Sequence, residues 1–146
     1  MTTSSAEAIW EGGLKGGNGK FSAGSGAFSG DYSFTTRFEG AKGTNPEELL
    51  AAAHAACFSM ALSGGLEAAG TPATRVTTKA SATVEKANGG FRITTIKLET
   101  RGVVPGIDQA KFREVAEQAS QGCPVSQALA NNLKIELEAT LESGAA

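Results

Sequence analysis

Residues 45–69 read NPEELLAAAHAACFSMALSGGLEAA and decide the fold of this chain of 146 residues. Asn45 can cap a helix, Pro46 suits its first position, and Glu48 stands where it can complete a capping box. The run from Pro46 to about Ala69 is rich in alanine and apolar on nearly every side. Because a helix that is apolar all round is typically buried, we expect a long, buried central helix here.

The segment before this helix favours short strands. Residues 8–29 are lightly apolar and punctuated by glycine, which is typical of an antiparallel meander. The next stretch, SFTTRF, alternates, with Phe34, Thr36 and Phe38 on one face of a predicted strand. Such a strand would direct Arg37 away from the two phenylalanines.

A predicted hairpin follows the central helix. Residues 76–84 alternate at period two, and Asn88 with two glycines predicts a tight turn into a second strand. The apolar phase of that second strand slips between Ile93 and Ile96. This slip predicts a β-bulge.

Two shorter helices and a last strand complete the pattern. The helical spacing of Phe112, Val115, Ala116 and Ala119 predicts a helix over about 108–120 that ends before Gly122. A short helix is predicted over 124–130. Residues 133–141 alternate as a strand. The order of elements indicates an α+β fold with a mostly antiparallel sheet. No linker divides the chain, so we expect a single domain over 1–146 with frayed ends at 1–5 and 143–146.

The composition predicts a thin hydrophobic core. Leucine, isoleucine, valine and phenylalanine make up only 28 of 146 residues, or 19%, close to the level at which chains become disordered. The net charge of -2 is too small for disorder, so the chain should fold. A second copy of the chain can supply the missing core, which favours an obligate oligomer.

The charge and hydropathy patterns exclude several functional classes. A pI near 5.5 with scattered basic residues disfavours a nucleic-acid partner. No run approaches 18 consecutive apolar residues and the start lacks a signal-peptide pattern, so we expect a soluble, cytoplasmic protein without a membrane partner.

Three side chains suit nucleophilic or redox chemistry: Cys57, Cys123 and the single histidine, His54. Burial in the apolar helix would raise the pKa of Cys57 and leave it inert unless a cation stabilised the thiolate. Cys123 precedes Pro124 at the start of a helix, where the backbone favours a negative sulfur. Local electrostatics therefore favour Cys123 as the thiolate, while a purely structural role for both cysteines stays open.

Glu47 and Arg37 are the charged residues best placed to assist Cys57. At about 100° per residue, Glu47 lies roughly 80° from Cys57 around the helix, whereas Glu48 lies on the opposite side. An arginine can bind a carboxylate with two donors and offer the others to sulfur and substrate. Arg37 is the nearest candidate, and a solvated surface position is its alternative.

His54 allows three interpretations. It could form a Cys-His pair with Cys57 for acyl transfer, or join Cys57 and Cys123 in an open zinc site. Nothing in the sequence orients its imidazole, so a polar histidine in the core is the favoured interpretation.

The motifs FEGAKGTNPEELLAAAHAACFSMAL and GCPVSQAL, with WEGGLKGGNGKFS near the start, resemble the OsmC/Ohr family. The resemblance covers nearly all of residues 7–141. It points to the OsmC (osmotically inducible protein C) branch, because the sister Ohr branch tends to have tyrosine where this chain has His54.

This resemblance implies a thiol-dependent peroxidase for oxidative and osmotic stress. It would reduce organic hydroperoxides and, less efficiently, hydrogen peroxide. Cys57 matches the family's peroxidatic cysteine and Cys123 its resolving cysteine, the reverse of the ranking from local electrostatics. Arg37 in TRFEG and Glu47 in NPEEL match the pair that activates the thiol. The implied cycle passes through a Cys57 sulfenic acid and a Cys57–Cys123 disulfide.

The resemblance also implies an OsmC-like fold built as an intertwined homodimer with active sites at the interface. It implies no metal or other cofactor, only an external dithiol or lipoyl-type reductant. The alternative is a non-catalytic, dimeric ligand-binding stress protein with buried cysteines, and titration of the thiols with peroxide distinguishes the two.

Overall fold

Strands and helices cover most of the chain in the computed structural model, which describes residues 1–142. The elements are β1 (Ala6–Glu11), β2 (Asn18–Ala23), β3 (Ser29–Tyr32), α1 (Phe34–Phe38), α2 (Pro46–Ala68), β4 (Arg75–Ala87), β5 (Gly90–Val103), α3 (Gln109–Gly122), α4 (Pro124–Leu129) and β6 (Lys134–Leu141). This order confirms the α+β class. The chain divides into two compact units, Met1–Leu49 and Leu50–Ala146, so a single domain stays a prediction. Residues 1–5 precede β1, and residues 143–146 lie outside the described residues, so their predicted fraying is not tested.

The first unit is built on an antiparallel meander in the order β1-β2-β3, as predicted. Its aromatic side chains cluster, with ring centroids 5.5 Å apart for Trp10 and Tyr32 and 5.9 Å apart for Phe21 and Tyr32. Between residues 1 and 49, however, the only buried positions are Gly19 and Glu47. The first unit therefore buries no apolar side chain.

The stretch SFTTRF forms helix α1, so the predicted strand is wrong. A capping box begins the helix: Ser33 Oγ accepts from Thr36 N at 3.2 Å, and Thr36 Oγ1 accepts from Ser33 N at 2.9 Å. Phe34 and Phe38 share a face in a helix as well as in a strand, and their rings lie 5.0 Å apart. Arg37 consequently lies against the Phe38 ring, 4.9 Å from its centroid, and does not point away from the phenylalanines.

The second unit contains a three-stranded sheet in the order β4-β5-β6. Asn88, with φ of 49°, and Gly89, with φ of 79°, form the predicted turn between antiparallel β4 and β5, because both residues of such a turn need positive φ. Thr83 pairs with Thr95 while Val84 pairs with Ile93, which leaves an extra residue between Ile93 and Thr95 and confirms the bulge. β6 pairs with β5 in parallel, since α3 and α4 form a crossover between them.

The core of the second unit gathers side chains from α2, β5 and α3. Its buried hydrophobic members are Phe58, Leu62, Leu66, Ile96, Leu98, Val104, Phe112, Val115, Ala116, Ala119 and Cys123. The four α3 residues among them are those at predicted helical spacing. Phe112 fits against the bare backbone of Gly102, where a Cβ atom would overlap its ring. A glycine in β5 therefore lets α3 approach the sheet closely.

Helix α2 begins where the capping signal predicts, since Asn45 Oδ1 accepts from Glu48 N at 2.8 Å. The prediction that α2 is buried on nearly every side is wrong. The side chains of His54, Phe58, Leu62 and Leu66 form a buried stripe at every fourth residue. The opposite face is exposed within this chain, at Ala52, Ala53, Ala56 and Met60.

Helix α2 is also long and apolar enough to cross a membrane, by length and composition alone. This differs from the expectation based on runs of consecutive apolar residues, because an average over 18 residues tolerates the interspersed serine, histidine and glycine. The core helix of a soluble protein meets the same criteria. Within the described chain, α2 buries only the stripe through Phe58.

Candidate active site

The second unit brings its two cysteines into contact, although they are 66 positions apart in the sequence. Cys57 projects from the middle of α2, and Cys123 lies between α3 and α4, where it caps α4. Their sulfurs are 3.2 Å apart, within hydrogen-bonding distance, and both are free thiols. A disulfide needs an S–S distance of about 2.05 Å, so the sulfurs must approach by roughly an ångström to bond. The pair is therefore placed for reversible dithiol chemistry.

The two thiols have opposite environments. Burial raises the pKa of Cys57, Cys123 raises it further, and a hydrogen bond from the Val125 backbone acts in the opposite direction. Burial also acts to raise the pKa of Cys123, but hydrogen bonds outweigh it and lower that pKa below its ordinary value. They come from the backbone and side chain of Ser126, from Cys57 and from the Val125 backbone. Within the second unit, Cys123 is thus the more acidic thiol, as the sequence electrostatics predict.

A buried polar pair lies beside Cys123. His54 lies on α2 and Ser126 on α4, and each is at most 1% exposed. His54 Nε2 is 2.7 Å from Ser126 Oγ. The Ser126 N–H donates to Cys123 Sγ at 3.5 Å. Burial lowers the pKa of His54, so its imidazole is neutral near pH 7. His54 is therefore a polar core histidine, as favoured, and its partner is Ser126.

The first unit pairs Glu47, which the helical wheel selects, with Arg37, the nearest candidate cation in the sequence. Arg37 donates to Glu47 through Nε at 3.1 and 3.2 Å and through Nη2 at 2.7 Å. Glu47 is only 5% exposed, whereas the Arg37 side chain is 35% exposed. This two-donor contact leaves the Nη1 edge of the guanidinium outside the carboxylate. Arg37 is thus an ion-paired residue, not the solvated surface arginine that was the alternative.

Sequence reasoning missed Ser126, although a signal for it was present. Ser126 stands three residues after Cys123, and a residue that caps a helix accepts from the backbone N–H three positions later. The cap could therefore be predicted, but the partner of the Ser126 hydroxyl could not. Among residues 1–142, no group of three histidine, cysteine or acidic side chains is placed to hold a metal ion, so the zinc interpretation of His54 gains no support.

Comparisons with known proteins show which proteins the chain resembles. Residues 39–138 match the family model described as OsmC-like protein. Peroxiredoxin OsmC of Escherichia coli is 48% identical over 133 residues, which is 90% of this chain and 93% of that protein. An organic hydroperoxide resistance protein of Xanthomonas axonopodis is 36% identical over 67% of this chain and 68% of its own length. The crystal structure of an organic hydroperoxide resistance protein from Elizabethkingia anophelis matches with a TM-score of 0.78 at 26% identity, covering 97% of this chain and 99% of that one.

Proposed function

Because this chain belongs to the family of OsmC-like proteins, we propose that it is a thiol-dependent peroxidase that reduces organic hydroperoxides to alcohols in stress defence. The observation that carries this proposal is the contact between Cys57 and Cys123, whose sulfurs lie 3.2 Å apart. Two free thiols in contact can lose two electrons to form a disulfide and can then be reduced to the dithiol again. Hydrogen peroxide is a second, poorer substrate in this proposal.

The first step is the attack of Cys57 on the peroxide. The Cys57 thiolate forms a bond to one peroxide oxygen, the O–O bond breaks, and the alkoxide leaves and takes a proton to become the alcohol. Cys57 is oxidised to sulfenic acid and the peroxide is reduced. Cys57 is the more exposed of the two cysteines, which favours it for contact with substrate.

The second step joins the two cysteines. The Cys123 thiolate attacks the Cys57 sulfur, the S–O bond breaks, and hydroxide leaves as water after protonation. The resulting disulfide is reduced by an external dithiol, such as a lipoyl group, which becomes a disulfide in turn. Sulfur carries the electrons throughout, so the cycle requires no metal or prosthetic group.

Arg37 and Glu47 complete the proposed machinery. Burial raises the pKa of Cys57, so its thiolate needs a cation at neutral pH. We assign that role to Arg37, with Glu47 fixing the guanidinium, on the basis of the match to the family motifs. Their ion pair, in which Glu47 occupies one edge of Arg37, supports this assignment because the other edge remains for sulfur and peroxide.

We also propose an intertwined homodimer in the cytoplasm, with active sites at the interface. The exposed apolar face of α2, where Met60 is 77% exposed, and the lack of buried apolar side chains in residues 1–49 support it. A second copy would cover such surface. Light scattering after size exclusion should give twice the chain mass, and Met60→Glu should lower that mass toward the monomer while Glu67→Gln, at another exposed α2 position, should not.

Reaction with a single equivalent of cumene hydroperoxide tests the peroxidase proposal. The reduced protein should consume the peroxide and yield a Cys57–Cys123 disulfide, identified by mass spectrometry of the digested protein. Cys57→Ser should abolish peroxide consumption. Cys123→Ser should consume one equivalent and stop at the Cys57 sulfenic acid.

Cys57→Ser and Cys123→Ser serve as controls for each other, since each variant removes one sulfur from the same contact. Undiminished multiple turnover in Cys57→Ser would contradict the proposal. So would a wild-type protein whose thiols both remain reduced in the presence of hydroperoxide, which would favour a ligand-binding protein with structural cysteines.

A further inference from the structure

A line of three buried polar groups, His54, Ser126 and Cys123, has no part in the peroxide step. His54 Nε2 lies 2.7 Å from Ser126 Oγ, and the Ser126 N–H donates to Cys123 Sγ. His54 and Cys123 are completely buried, and Ser126 is 1% exposed. Since burying polar groups is unfavourable unless they are hydrogen-bonded, these contacts are what allows the three groups to be buried together.

The direction of the hydrogen bonds follows from His54. Its Nδ1 atom is buried and has no hydrogen-bond partner among the described residues. A neutral imidazole carries one N–H, and placing it on Nδ1 would leave a buried donor unpaired. The tautomer with its proton on Nε2 instead pairs that N–H with Ser126 Oγ, 2.7 Å away. The Ser126 hydroxyl, having accepted that bond, is free to donate its own proton to the Cys123 sulfur.

We propose that His54, acting through Ser126, is a positioning residue that holds Cys123 as the attacking thiolate of the second step, the closure of the Cys57–Cys123 disulfide. This inference rests on the proposed peroxidase function. We call the hydrogen-bonded series His54, Ser126 and Cys123 the relay. Each of its groups donates toward the Cys123 sulfur, so the relay stabilises a negative charge on Cys123 without itself ionising. Hydrogen bonding from Ser126 also lowers the pKa of Cys123, which agrees with this direction.

The relay acts on one chemical step only. The Cys123 thiolate supplies the electron pair of the new S–S bond, the S–O bond of the Cys57 sulfenic acid breaks, and hydroxide departs and is protonated to water. Cys123 is oxidised and the sulfenic sulfur is reduced. A slower closure leaves the sulfenic acid exposed longer to a second peroxide, which oxidises it to sulfinic acid.

The charged and titratable groups around the relay are few. Cys57 and His54 reach it from α2, and no charged side chain of α4 contacts it among the described hydrogen bonds. On α3, Glu117 lines a groove of about 420 Å³ that also reaches Ser126, but Glu117 is ion-paired with Arg113 at 3.0 Å. The pH dependence of disulfide closure therefore reports mainly on Cys123.

Single-turnover kinetics of the full-length protein test the relay. The reduced protein is mixed with one equivalent of cumene hydroperoxide, and the sulfenic acid and the disulfide are followed by rapid quenching and mass spectrometry from pH 5 to 9. Ser126→Ala and His54→Leu should slow closure by about tenfold and raise its pH midpoint by about one unit, the effect of losing one hydrogen bond to a charged acceptor. The rate of the peroxide step should change by less than about twofold.

Two further variants separate the relay from general damage to the core. His54→Gln, whose amide can still donate to Ser126, should restore closure and its pH midpoint to near the wild-type values. Thr100→Val removes another buried hydroxyl, bonded to Thr78 at 2.9 Å, and should leave the midpoint unchanged. More Cys57 sulfinic acid should accumulate in Ser126→Ala than in Thr100→Val at excess peroxide.

The outcomes distinguish failure of the relay from failure of the peroxidase. Disulfide closure at the wild-type rate and midpoint in folded Ser126→Ala overturns the relay alone, whereas wild-type protein that consumes no peroxide overturns the function on which it rests. If both relay variants fail to fold, nitrogen-15 NMR of the wild-type imidazole decides. A proton on Nε2 supports the relay, and a proton on Nδ1 overturns it.

Discussion

The two units of this chain differ in how they are stabilised. Residues 1–49 bury only a glycine and a carboxylate, and they rely on a half-buried aromatic cluster and the Arg37–Glu47 ion pair. Residues 50–142 contain the eleven buried residues of the hydrophobic core, which include Cys123, and Cys57 packs against them. The scarcity of large apolar residues is therefore concentrated in the first unit. A unit without a core of its own must obtain stability from elsewhere, while the second unit can hold two thiols rigidly in contact.

The largest expected difference between the units concerns aromatic side chains. Phe112→Ala empties a site with no exposure in the second unit and should lower the free energy of unfolding by about 3–5 kcal/mol. Phe28→Ala removes a ring that is 53% exposed in the first unit and should cost less than about 1 kcal/mol. Urea denaturation of both variants measures the contrast. Equal losses would break the comparison and would mean that a second copy of the chain buries Phe28.

The charged pair of the first unit should affect chemistry more than stability. Glu47→Gln removes the acceptor of charge-assisted hydrogen bonds and should slow Cys57 oxidation by about ten- to a hundredfold, since such bonds contribute about 1.5–3 kcal/mol. The neutral amide leaves Arg37 uncompensated but partly solvated, so unfolding should change little.

Glu48→Gln is the control for this prediction, because it changes the neighbouring, exposed acid of the same helix turn. Peroxide consumption in stopped flow should be unaffected by it. An equal rate in Glu47→Gln and Glu48→Gln would remove Arg37 and Glu47 from the proposed machinery.

Variants of two matched helix caps test whether the two units unfold together. Asn45 caps α2 from the first unit and Asp108 caps α3 in the second, each accepting a backbone N–H at 2.8 Å. Asn45→Ala and Asp108→Ala should each cost about 1 kcal/mol. In calorimetry, both should lower the midpoint of one common transition if the chain is a single domain. Two transitions, each sensitive to one cap, would contradict the single-domain prediction.

The last prediction concerns acid and His54. Burial lowers the pKa of His54 in the folded protein below its ordinary value of 6.5, so below that pH the unfolded chain binds a proton that the folded chain does not. The free energy of unfolding should consequently fall as the pH drops below about 6.5, and this part of the loss should be absent in His54→Gln. Denaturation curves from pH 7.5 to 5 measure it, and parallel pH profiles for the two proteins would argue against a neutral, buried imidazole.

Much of the fold could be predicted because its signals are local. The Asn45 cap, the Asn88 turn, the bulge before Ile96 and the buried face of α3 each depend on residues within a few positions of one another. The strand predicted for SFTTRF is wrong because a short local pattern can fit two structures. Two phenylalanines four residues apart satisfy both periods, and the capping box at Ser33 decided between them.

The candidate site was predictable to a smaller extent. Helical geometry selected Glu47 over Glu48, and the family motifs selected Cys57 and Arg37, but neither could find the Ser126 hydroxyl as the partner of His54, 72 positions away. The burial of α2 was also overestimated. Its composition describes all of its faces, whereas packing within one chain covers only the stripe through Phe58.

The sequence by itself determined where α2, α3 and α4 start, which residues face the core in α3, and which residue types are available for thiol chemistry, because capping and periodicity act over one or two turns. The tertiary structure alone decided that β6 joins β5 in parallel and that His54 faces Ser126. It also brings Cys57 to Cys123, a pairing that the family resemblance implies but that no local pattern indicates. Those contacts join segments that are far apart in the chain. They depend on how α2, α3 and α4 pack together, and packing of large surfaces leaves no short-range signature in the sequence.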